Sequence, residues 1–137
     1  MGRFHVVRQA VACCALIGSA AFGQNVAVNN GSQFTTTTGD AVQAHGAGIV
    51  KVGNYYYMLG ENRDGWLFKA VSMYRSTDLN NWEFRRDILT RNSAPSLNTS
   101  NIERPKVIYN AATNKYVLWA HKAVSYTHLT LPTIYSV

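Results

Sequence analysis

Four side chains able to move protons or hold charge recur at matched places in this sequence, His45, Glu61, Glu103 and His121, and a fifth, Arg104, follows Glu103 directly. Ala44 to Glu61, AHGAGIVKVGNYYYMLGE, carries His45 just before one short apolar run and Glu61 just after a second. Ile102 to His121, IERPKVIYNAATNKYVLWAH, repeats the arrangement roughly 60 residues later, with Glu103 and His121 in those two places. Aligned on their apolar runs, the stretches set His45 opposite Glu103 and Glu61 opposite His121. Carboxyl groups give and take protons, and a neutral imidazole orients water. Ionisable groups at one mouth of successive repeats are how a repeat fold assembles a central site. Two His and two Glu also raise the question of a metal, but their spacing matches no zinc signature, and neither metal nor cofactor is assigned.

The elements that must position these residues are β-hairpins. Ile49-Val50 and Tyr56-Tyr57-Met58-Leu59 enclose the turn Gly53-Asn54, and Val107-Ile108 and Tyr116-Val117-Leu118-Trp119 enclose Asn110 to Asn114. After the first hairpin the sequence predicts a loop from Asn62 to Lys69, a strand from Ala70 to Arg75, a turn from Ser76 to Trp82 and a strand from Glu83 to Leu89. In that turn Asp78 caps its own backbone with Trp82 packed beneath. Four strands in a meander, restarting at Ile102, predict an all-β fold of propeller type, with Gly46 and Gly48 allowing close packing near its axis. Most of the many aromatic residues belong to packing, and one or two at the mouth of a cleft would suit stacking on sugar rings.

Residues 1–23 read as a secretory signal peptide: Arg3, His5 and Arg8 precede an apolar run from Ala10 to Ile17, which is too short to span a membrane, and small residues follow to Gly23. The expected product is secreted, extracellular or periplasmic, and free of the membrane once the leader is cleaved. Cys13 and Cys14 both leave with it, so no disulfide framework is expected. The formal charge of +6 loses Arg3 and Arg8 at the same step. No basic run exceeds Arg85-Arg86, whose side chains point to opposite faces of a strand, which excludes a nucleic-acid groove. Residues 24–42, rich in Asn, Ser, Thr and Gly, read as an extended lead-in without visible chemistry.

The strings QAHGAGIVKVGNYYYMLGEN, FKAVSMYRSTDLNNW and IERPKVIYNAATNKYVLWAH together resemble the opening of glycoside hydrolase family 43, most closely its exo-β-1,3-galactanase branch. The resemblance implies a five-bladed β-propeller parent, monomeric, of which residues 43–123 form the first blade and part of the second. It implies a glycosidase that cleaves galactan or a related plant polysaccharide with inversion, one carboxylic acid protonating the leaving oxygen and a second group activating water. By that resemblance Glu103 is the pocket carboxylate and Glu61 contacts the terminal sugar, with His45, Arg104 and His121 as further candidates for substrate binding. The usual family base, an Asp at the start of the first inner strand, is replaced here by Ala44-His45-Gly46, which leaves the base unassigned. The residues alone leave other readings open: Glu103 in an ion pair with Arg104, Glu61 solvated in a loop, His45 as a structural hydrogen-bonder. A carbohydrate-binding propeller without catalysis is the alternative function.

Val124 to Thr133, VSYTHLTLPT, resembles one translated frame of a transposon-based sequencing adapter. Residues 124–137 are accordingly expected to be foreign to the protein. The authentic part would then lack the leaving-group acid, which in the family lies on later blades, and would be inactive alone.

Overall fold

The computed structural model describes residues 27–28, 31–124 and 127–133, with side chains to residue 123. The expected signal peptide lies outside the described residues. Two antiparallel sheets make up the fold. The first takes strands in the order β1 (His45–Val52), β2 (Tyr55–Asp64), β3 (Leu67–Ser76) and β4 (Glu83–Thr90); the second takes β5 (Asn101–Asn110), β6 (Lys115–Val124) and β7 (Thr127–Thr133). Two short 3₁₀ turns, Arg91–Ser93 and Pro95–Leu97, carry the chain between the sheets.

Alternation along the strands sorts residues to two faces. Leu59, Phe68, Val71 and Leu89 from the first sheet meet Ile102, Leu118 and Ala120 from the second, with Leu97 closing the gap. Val50 and Val107 join this inter-sheet core, whereas Ile49 and Ile108, one residue away on each inner strand, remain 55% and 56% exposed. On the other face of the first sheet, Val42, Met58, Tyr74 and Trp82 form a second cluster against Phe34 and Ala44. The lead-in thus covers a sheet face, which its irregular polar sequence did not reveal. Thr36 pairs with Trp82, and the chain crosses β2 so closely that a Cβ on Gly60 would lie 2.4 Å from Ala44 Cα.

The expected loop from Asn62 to Lys69 is instead the end of a hairpin. β2 runs on to Asp64 and β3 begins at Leu67, joined by a tight turn in which Gly65 takes φ 60°. The polar run Glu61-Asn62-Arg63-Asp64 reads as loop because its charges look solvated, but Glu61 and Arg63 share one face and pair there. The turn after β3 follows expectation: Asp78 Oδ1 accepts the amides of Asn80 and Asn81 at 2.9 and 2.8 Å, above the buried Trp82. These backbone bonds, with those from Asn81 and Ser76 side chains, hold the Asp78 carboxyl far below its ordinary range.

Thr127–Thr133, within the segment expected to be foreign, pairs in continuous register with β6 from Val124↔Thr127 to Leu118↔Thr133. An outer strand presents unpaired backbone groups to any extended segment, so this pairing needs no special sequence.

Candidate active site

The register brings the expected residues together in pairs. His45 stands opposite Glu61 across the first hairpin, and Glu103 opposite His121 across the second. Each inner strand then carries one extra residue, between His45 and Gly48 and between Glu103 and Lys106. These matched bulges turn each strand just past its titratable residue. In both, the next residue is left-handed, Gly46 at φ 57° and Arg104 at φ 50°. Glycine adopts that conformation freely, but arginine does so at a cost, and the following Pro105 favours extended backbone at Arg104. Pro105 itself is tolerated because β5 is the first strand of its sheet.

The two bulges nest against each other around Glu61. A Cβ on Gly46 would lie 3.2 Å from both Arg104 Cα and Glu61 Oε1, and one on Gly48 would lie 2.8 Å from Lys106 Cδ, so the close-packing role expected of both glycines is met. The Lys106 ammonium reaches back to donate to the carbonyls of Gly46 and Ala47 at 2.8 and 3.2 Å, tying β5 to β1.

Glu61 is not a solvated loop residue. It is 2% exposed, its Oε1 accepts the Arg104 amide at 2.6 Å, and its Oε2 accepts Arg63 Nε at 2.8 Å and the terminal guanidinium nitrogen as well. A carboxylate this deep has to be neutralised and hydrogen-bonded, and the chain supplies both. Glu103 differs: its side chain is 32% exposed and Oε2 lies 3.2 Å from His121 Nδ1. No ion pair joins Glu103 to Arg104 among the described residues; the bulge sends Arg104 outward, and its amide goes to Glu61. His45 is exposed at the same mouth.

Sequence reasoning missed Arg63 and Lys106. For Arg63 a signal existed: a cation two residues after Glu61 shares its face if the segment is strand. It also left open which aromatic residue lies near the mouth. Trp66, 88% exposed, sits in the β2–β3 turn beyond Glu61, at the sheet end where His45 begins β1. The hairpin is fixed at its root by Phe68, whose amide donates to Asn101 Oδ1 at 3.0 Å and whose carbonyl accepts Arg91 Nε at 2.9 Å. Among the described residues no group of three or more His, Cys, Asp or Glu is placed to hold a metal ion, and no helix is long and apolar enough to cross a membrane.

Among the described residues the fold is all-β, two antiparallel sheets whose inner strands carry matched bulges and bring a carboxylate and a histidine to one mouth. No protein-family model matches the chain, and no curated protein does. Solved structures do. An exo-β-1,3-galactanase from Clostridium thermocellum is 45% identical over 80% of this chain and 26% of its own, with a TM-score of 0.69. An exo-β-1,3-galactanase from Phanerochaete chrysosporium, solved as a variant with β-1,3-galactotriose, is 42% identical over 69% of this chain and 23% of its own, with a TM-score of 0.64. A β-1,3-galactosidase of glycoside hydrolase family 43 is 35% identical over 71% of this chain and 30% of its own, also with a TM-score of 0.64. Over the residues it shares with them, the chain belongs to glycoside hydrolase family 43 and is galactanase-like. It spans about a quarter of the length of the two galactanases.

Proposed function

We propose that this chain is the opening part of an exported family 43 glycosidase that hydrolyses β-1,3-galactan or a related plant polysaccharide with inversion. Its identity to galactanases of about four times the matched length supports this reading, and so does a mouth that is acidic, partly open and built from two successive repeats. The observation that carries it is the contrast between the two carboxylates. Glu61 is buried and fully engaged by the chain, whereas Glu103 is open to solvent beside His121.

In an inverting hydrolysis the sugar passes through an oxocarbenium-like state while a water attacks from the face opposite the leaving oxygen. Glu103 supplies negative charge to that state and an acceptor for a sugar hydroxyl or the water, with His121 orienting its carboxylate. His45 and Arg104 bind hydroxyls around it, and Trp66 stacks on a sugar further along the chain. Glu61 acts from behind this wall. The leaving-group acid belongs to later blades of a five-bladed, monomeric parent, so the segment alone is inactive. No cofactor enters. Residues 124–137 are foreign to that parent.

The test is turnover of β-1,3-galacto-oligosaccharides by the full-length protein and its Glu103→Gln variant, with the unfolding midpoint measured alongside. Gln keeps the size and loses the charge, so turnover is expected to fall by about 10² to 10⁴ while the midpoint holds. Unchanged turnover with a lowered midpoint would return Glu103 to the scaffold. Oligosaccharide binding without any turnover would make the parent a binding protein.

A further inference from the structure

We infer that Arg63 is a positioning residue of the Glu103 site: through Glu61 it holds Arg104 left-handed and so fixes the strand direction at Glu103. The inference rests on the reading of Glu103 as the working carboxylate.

The internal repeat isolates what needs explaining. At the bulge of the first hairpin the left-handed residue is Gly46, which needs no support. At the same bulge of the second hairpin it is Arg104, at φ 50° and followed by Pro105. Two local preferences therefore push Arg104 toward extended backbone. Extending it would erase the bulge and reorient Glu103, its immediate neighbour. The opposing contact is the 2.6 Å bond from the Arg104 amide to Glu61 Oε1, a charge-assisted bond that depends on the carboxylate staying in place. Arg63 meets that condition. It approaches the other carboxylate oxygen through two nitrogens, and Glu61 has an almost fully buried side chain while Arg63 is one-third exposed. Without Arg63 the buried carboxylate loses the partner that fixes its second oxygen and is left uncompensated, so it shifts and its hold on the amide weakens. Opposite Asn62 and Arg63 the extra residue is Lys69 of β3, so β2 keeps its alternation there and Glu61 and Arg63 stay on one face. Among the described residues no hydrogen bond or ion pair joins Arg63 to Glu103 directly, and the route between them runs through Glu61 and the Arg104 amide.

The experiment uses the full-length protein with Arg63→Gln, Arg63→Lys, Arg104→Gly and the Arg63→Gln/Arg104→Gly double variant. Hydrogen exchange at the residue 104 amide, kcat and KM, and the unfolding midpoint are read for each. In the parent, Arg63→Gln is expected to speed exchange at Arg104 and to lower kcat about ten- to a hundredfold with little change in KM. Arg63→Lys, which keeps the charge with fewer donors, should recover part of both. With glycine at 104 the left-handed conformer no longer depends on Glu61, so the same Arg63→Gln step should cost kcat less than about threefold, although the midpoint falls as much as before. Equal kcat losses in both backgrounds, or unchanged exchange at Arg104, would overturn the inference and leave Arg63 a structural ion-pair partner. Should the parent hydrolyse nothing, the proposed function fails while the exchange measurement still decides whether Arg63 holds Arg104.

Discussion

At the scale of single residues, what separates the two carboxylates is their partners. Glu61 is held by a guanidinium and a backbone amide from the next sheet, and Glu103, among the described residues, by an imidazole at 3.2 Å. Matching types at matching positions made all four titratable residues legible as a set, because the hairpin register follows from the paired apolar runs and the turn between them. Their environments were not legible, since burial depends on a neighbouring sheet that the repeat pattern does not describe. Arg104 shows the limit most clearly: nothing marks an arginine as left-handed except its alignment with Gly46. Trp66 yields a prediction at this scale. Its ring is exposed on a hairpin anchored at the root, so Trp66→Ala should raise KM for long galacto-oligosaccharides about two- to tenfold, the worth of one aromatic contact, with kcat unchanged. Initial rates on oligosaccharides of increasing length check this, and an equal effect on the shortest substrate would remove Trp66 from the longer binding path.

At the scale of elements, the hairpins were legible and the segments between them less so. β1, β5 and β6 carry short apolar runs beside clear turns, whereas the end of β2 is polar because its charges pair with each other rather than with water. The lead-in escaped for the opposite reason: Phe34 and Val42 are lone apolar residues in a polar stretch, and they are recruited by the face of another element. The β3–β4 turn rests on Asp78, whose ionised carboxylate accepts two backbone amides. Because its folded pKa is depressed, its contribution is fully present above the ordinary unfolded value of about 4 and is lost as pH falls toward the lower folded value. In the full-length protein Asp78→Ala should therefore lower stability by about 1 to 2 kcal/mol at neutral pH, with the gap to the parent narrowing below about pH 4. Denaturant unfolding at pH 7 and at pH 3 measures it; a gap that widens in acid would contradict the assignment.

At the scale of the whole molecule, the two sheets leave apolar surface that they do not cover themselves. Ile49, Ile108 and Trp119 are 55%, 56% and 41% exposed, beside an inter-sheet core that is closed. In a propeller such faces meet the neighbouring blades, and the galactanases matched here are about four times the length of the shared segment. Amplifying the locus afresh should show the reading frame departing from this sequence near Ala123 and continuing through further blades; recovering Val124 to Val137 unchanged would contradict that. The central claim, an inverting galactan hydrolase, is tested most directly by following the full-length protein on β-1,3-galactan with proton NMR of the anomeric signals. The account predicts that galactose appears first as the α anomer and only later mutarotates, with no release by the 137-residue chain alone. Release of β-galactose first, or no release by the full-length protein, would contradict it.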